Sequence, residues 1–182
     1  MRHLMSSGSS GTSGSSGFGK ADWNALGELK VSKSDLRAFN GVFQTLMEEH
    51  GELTALFLRI NSSSDVSVYK DLYPAVRREL LAHEMGEMAA VYPFVAAYAD
   101  LESEAVRHGK EAGELKGAIM SIDVLDYGDA RWKLGFEHVF ALVRSHFDEE
   151  ETRFFPRAQL LIGQENSEML EARYQEGKVV ID

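Results

Sequence analysis

From Asp35 onward, apolar residues recur three and four positions apart in four successive runs. That is the period of an amphipathic helix with one buried stripe, not the alternation of a strand. The first run takes in Leu36, Phe39, Phe43, Leu46, His50, Leu53, Phe57 and Ile60, and the second Leu72, Val76, Leu80, His83, Glu87, Ala90 and Phe94. The third follows through Leu101, Ala105, His108, Ala112, Leu115, Ile119 and Ile122, the fourth through Trp132, Phe136, Val139, Val143, His146, Glu150 and Phe154. Asn61-Ser-Ser-Ser-Asp65 and the Asp123 to Asp129 stretch, which includes Gly128, break the pattern with turn-forming residues. Short connections make consecutive helices antiparallel, so the pattern predicts an all-α, antiparallel up-down-up-down four-helix bundle. Ser167 to Gly177, with Met169, Leu170 and Tyr174 on one side, predicts a short C-terminal helix bracing it.

Each apolar seam is interrupted by a histidine, and the second and fourth also by a glutamate four residues later. Folded about Val66, His50 lies 16 residues before the turn, with His83 and Glu87 17 and 21 after it. About Asp126, His108 lies 18 residues before, with His146 and Glu150 20 and 24 after. A turn near Tyr98 leaves Glu87 11 residues before it and His108 10 after, so all six share one layer to within roughly a helical turn. In each H-x-x-x-E pair the two side chains stand about 40° apart around the helix and reach one centre.

Buried carboxylates are costly, and two close together repel; a cation removes both penalties. Imidazole with carboxylate suits iron, manganese or zinc, and four His with two Glu suit two bridged ions better than one. His83 to Pro93 and His146 to Pro156 both read H-x3-E-x5-P with an aromatic before the proline, an internal repeat in which each helical hairpin supplies half the site. Around this set, Glu104 and Glu84 are candidate outer acceptors for the imidazoles, with a solvated helix face the alternative for both. Asp148, Glu149 and Glu151 are expected at the surface, and His138 on a helix flank.

Length and composition narrow the rest. The 182 residues suit one domain, with the bundle expected over 35–177. Residues 6 to 17, SSGSSGTSGSSG, have the composition of a flexible linker, so segment 1–20, with His3, is set outside the site. A net charge of -10 gives no nucleic-acid footprint and disfavours an anionic membrane. The absence of Cys excludes disulfides, thiolate metal sites and a cysteine nucleophile. With no long apolar stretch and no apolar leader, a cytoplasmic location is expected.

The order lone His, H-x-x-x-E, lone His, H-x-x-x-E resembles the hemerythrin-like family of HHE cation-binding domains, over roughly Asp35 to Gly177. The resemblance implies two iron ions with an oxo or hydroxo bridge, Glu87 and Glu150 as carboxylate bridges, and His50, His83, His108 and His146 as terminal ligands. It also implies a small diatomic partner, oxygen or nitric oxide. Oxygen carriers of the family have a second histidine four residues from that of the third helix, where this chain has Ala112 and Glu104. Its last carboxylate also follows His146 by four residues, not the carriers' five. Both differences point towards the sensing, iron-handling and nitric-oxide-linked members. The alternatives are a di-iron enzyme of peroxide or nitric oxide reduction or iron-sulfur repair, and a zinc- or manganese-stabilised bundle without redox chemistry. A ferritin-like site is disfavoured, because none of the four histidines follows a glutamate by three residues.

Overall fold

A computed structural model of the protein describes residues 39–178. Segment 1–20, His3, Asp35 and Leu36 lie outside the described residues. Among those described, every regular element is helical. Helix α1 spans Gly41–Asn61 and α2 Val66–Gly86, after which a π-helical segment, Glu87–Val91, leads into α3, Tyr92–Val95. Helix α4 runs Glu102–Asp123 and α5 Ala130–Glu149, and a second π-helical segment, Glu150–Phe154, leads into α6, Phe155–Gly177. Helix α1 packs on α2, α5 and α6, while α4 packs on α5. No helix of the described residues is long and apolar enough to cross a membrane.

The polar interruptions become helix starts. Asp65 accepts a hydrogen bond from the Ser67 N–H at 2.9 Å and Asp129 one from the Arg131 N–H at 2.8 Å, each satisfying a first-turn donor of α2 or α5. The seam residues then face inward: Phe43, Leu46, Leu53, Phe57 and Ile60 are buried in α1, and Trp132, Phe136, Val139 and Val143 in α5. They form two apolar clusters. One gathers Phe57, Tyr73, Leu80, Ile119, Trp132 and Phe136; the other gathers Phe43, Leu46, Val91, Leu101, Phe155 and Leu170. The buried histidines and glutamates belong to neither cluster.

The two π-helical segments have a common cause in the repeat. Each begins at the glutamate of H-x3-E and ends just before the residue that precedes the proline. A proline inside an α-helix has no N–H to donate, and its ring clashes with the carbonyl four residues back. Here the turn widens by one residue: the Tyr92 N–H reaches the Glu87 carbonyl and the Phe155 N–H the Glu150 carbonyl. Pro93 and Pro156 are thereby accommodated without ending either helix, and both wide turns fall at the level of the buried carboxylates.

The C-terminal brace begins earlier than the sequence pattern suggests. Helix α6 starts at Phe155 and is interrupted at Gly163, whose φ of 77° only glycine adopts without strain. Leu170 and Tyr174 beyond it are fully buried, and Met169 packs at the cluster edge. The seat of this helix is tight: a Cβ at Gly86 would stand 2.6 Å from the Tyr174 ring.

Candidate metal centre

All six seam residues named from the sequence are buried and converge. His50, His83 and Glu150 form one group, and Glu84, Glu87, His108 and His146 a second; within each, one side-chain N or O atom per residue lies within 4.8 Å of the others. In the first group, His50 Nε2 is 3.2 Å from His83 Nε2 and 3.3 Å from Glu150 Oε2. In the second, Glu84 is 3.6 Å from His108 Nε2 through one oxygen and 3.5 Å from His146 Nε2 through the other. Glu150 serves both sides, its Oε2 facing His50 and its Oε1 facing His146 at 3.4 Å and His108 at 3.5 Å. Glu87 Oε2 also lies between the groups, 3.6 Å from His83 Nε2 and 3.7 Å from His108 Nε2.

These spacings suit donors around an ion. Atoms each about 2.1 Å from a metal and separated by 90–110° lie roughly 3.0–3.4 Å from one another. The alternative, a hydrogen-bonded polar core, leaves too much unmet. Both oxygens of Glu84 and of Glu87, both ring nitrogens of His108, His146 Nε2 and Glu150 Oε2 are buried without a hydrogen-bond partner. Buried polar atoms are rarely left so.

The outer ring nitrogens orient three of the imidazoles. His50 donates from Nδ1 to Glu151 at 2.9 Å, His83 from Nδ1 to Glu49 at 3.0 Å, and His146 from Nδ1 to Glu111 at 3.2 Å. In the neutral ring, the form that binds a metal, a proton at Nδ1 leaves the Nε2 lone pair facing the centre. His50 Nε2 and His83 Nε2 face each other at 3.2 Å, so their two lone pairs need a proton or a cation between them. Tyr174 from α6 donates to Glu49, and Lys178 donates to the same carboxylate at 2.7 Å. Tyr92 donates to Glu150 Oε1 at 2.5 Å, and its ring stacks on His108 with centroids 3.5 Å apart.

Electrostatics report the same crowding. Burial pushes the Glu87 carboxyl well above its ordinary value, and the charges of Glu150 and Glu84 push it further. Burial acts upward on Glu150 too, but the charge of His146 and interactions with His108 and His50 outweigh it and hold this carboxyl well below the usual range. Burial would lower His146; Glu150, Glu111 and Glu84 instead raise it to about 9. His83 moves down, because burial dominates over its bond to Glu49. Packing two carboxyls against each other drives their values apart, Glu87 upward and Glu150 downward.

Several expectations need correction. Glu84 is not on a solvated face or in an outer layer: it is buried within the second donor group. Glu104 does not support His108; it pairs with Arg157. Glu151, expected at the surface, holds His50, whereas Glu149 pairs with Arg107 and Arg153 and Asp148 is exposed. His138 is exposed on α5 as expected. The sequence pattern does not mark Glu49 or Glu111; it marks Tyr92 as the aromatic before the proline of the repeat and Tyr174 as part of the apolar side of the C-terminal helix, in neither case as part of the site.

Fold and site together define a helical bundle with a buried imidazole and carboxylate layer suited to cations. The chain matches the hemerythrin HHE cation binding domain over residues 42–158 and belongs to that family. The match ends before Tyr174 and Lys178, the α6 side of the Glu49 contacts. Comparison with curated proteins and with solved structures gives no match.

Proposed function

We propose that the chain binds two iron ions, one at each donor group, and that the pair takes up or senses a small diatomic ligand such as oxygen or nitric oxide. One observation carries the reading: two adjoining donor groups share Glu150, which turns one oxygen to each, with Glu87 between them. In this reading His50 and His83 would hold one ion and His108, His146 and Glu84 the other, with Glu87 and Glu150 available to both. Glu84, from α2, adds a carboxylate beside His108 and His146. Bound iron would supply one-electron chemistry and affinity for oxygen or nitric oxide. The chain's own residues fix the imidazole orientation through Glu49, Glu111 and Glu151, hold a proton at Tyr92 Oη against Glu150, and keep bulk water out with the two apolar clusters. The antiparallel up-down-up-down order, over a single domain spanning 35–177, is part of the reading and is supported by the short connections at 62–65 and 124–129.

Anaerobic reconstitution with iron(II), followed by metal analysis and visible spectra before and after exposure to oxygen and to nitric oxide, tests it. About two irons per chain are expected, with a reversible spectral change on gas binding. Clearly fewer than two irons would overturn the di-iron reading. Rapid autoxidation with peroxide turnover would replace binding or sensing with an enzymatic role.

A further inference from the structure

The buried layer must be reached from solvent, and its two flanks differ. On one flank, between α4 and α5, a cavity of about 320 Å³ has Glu84 and His146, both members of the second donor group, among its walls. Further out, Glu111, Glu114, Asp148 and Glu149 line it. Exposure grades inward: the Glu111 side chain is 37% exposed, Glu84 8% and Glu87 0%. The inner carboxylate is the unusual one, since both Glu84 oxygens are buried and unpartnered. A divalent ion carrying about six waters, at roughly 30 Å³ each, fits this volume.

On the opposite flank, a cavity of about 120 Å³ is lined by Glu49, Glu52, Leu53, Leu56, Glu79 and Lys178. Its inner carboxylate, Glu49, is already engaged by Lys178, His83 and Tyr174. A cation arriving there would meet a positive charge and a saturated acceptor. On the α4–α5 side the arginine among the lining residues, Arg107, is held at the rim by Glu149 at 2.8 Å and Glu111 at 3.4 Å. Its side chain is 41% exposed, so it can swing out into water.

We propose that the α4–α5 cavity is the route by which hydrated divalent cations load the buried site: Glu114 and Asp148 attract the ion at the mouth, Glu84 receives it inside, and Arg107 gates the rim. The inference rests on the metal-binding reading above and adds a direction and a gate to it. Low-dielectric walls lined by one sign of charge concentrate the oppositely charged ion and raise its association rate by 10-fold or more at low salt. The outer acids thus act on the rate of loading, and the buried donors on its extent.

Stopped-flow mixing of the metal-free protein with cobalt(II), followed by visible absorption, tests the route at low and high salt, with final stoichiometry measured on the same samples. The double variant Glu114→Gln, Asp148→Asn should load about 10-fold more slowly at low salt, reach the wild-type stoichiometry, and lose most of the salt dependence of the rate. Arg107→Gln should load faster. The double variant Glu52→Gln, Glu79→Gln, on the opposite flank, should load at the wild-type rate. Full stoichiometry with unchanged rates in the Glu114 and Asp148 variant, or a slower rate in the Glu52 and Glu79 variant, overturns the route alone. No cobalt uptake by the wild-type protein overturns the metal-binding reading and the route with it.

Discussion

Replacing Glu87 with Met should stabilise the metal-free bundle and abolish most of its stabilisation by iron. Glu87 is fully buried and neither oxygen has a hydrogen-bond partner. Each such group costs about 1–3 kcal/mol, and an apolar side chain of similar length removes that cost without leaving a cavity. Because burial already keeps the carboxyl raised towards its neutral form, the full cost of a buried charge is not recovered. The expected gain is about 2 kcal/mol, or roughly 5 °C in Tm for a domain of this size. Iron acts in the opposite sense. An ion present at about 100 times its Kd stabilises a native site by about 2.7 kcal/mol, and Glu87 faces both donor groups. The two proteins should therefore exchange order: the variant unfolds at higher urea in chelator, the wild type at higher urea with anaerobic iron(II). If the variant is less stable than wild type in chelator by more than about 1 kcal/mol, the buried oxygens do not destabilise the metal-free bundle. If it keeps the full iron-dependent shift, Glu87 has no part in the site.

Three further outcomes follow from the same geometry. Glu84→Gln should lower bound iron towards one per chain in anaerobic metal analysis while leaving the His50, His83 and Glu150 group loaded; two tightly held irons would return Glu84 to a spectator role. Gly86→Ala gains helix propensity but drives a Cβ to 2.6 Å from the buried Tyr174 ring, so a net loss of about 1–3 kcal/mol is expected in urea unfolding, with a wild-type midpoint counting against the tight seat of α6. Asp129 is held down to about 2 by the hydrogen bonds from the Arg131 side chain and backbone N–H. Its folded value lies below its unfolded one, so its contribution is full above about pH 4 and fades as pH falls towards 2. Asp129→Asn should flatten that part of the stability profile; an unchanged acid limb would show that the cap is not its source.

The four helical seams and the common level of six donors follow from periodicity and rise per residue, and these are properties of the chain read alone. His50, His83, Glu87, His108, His146 and Glu150 interrupt otherwise apolar stripes, so each announces itself against its neighbours. Glu49, Glu111 and Glu151 do not, because an acid beside a seam has the same spacing as an acid facing water. Which of them meets an imidazole depends on where the neighbouring helix lies. That is why Glu151 holds His50 while Glu104, four residues from His108 in sequence, turns to Arg157.

Helix content, the polar layer and the shared H-x3-E-x5-P repeat were thus determined by the sequence itself, through local periods that need no partner. Tertiary structure decided the rest. It turned Glu84 inward, because the spaces left by His108 and His146 lie on its side of α2. It brought Tyr174 against Glu49 from 125 residues away. Contacts of that range carry no period along the chain, so only the folded arrangement of helices can select them.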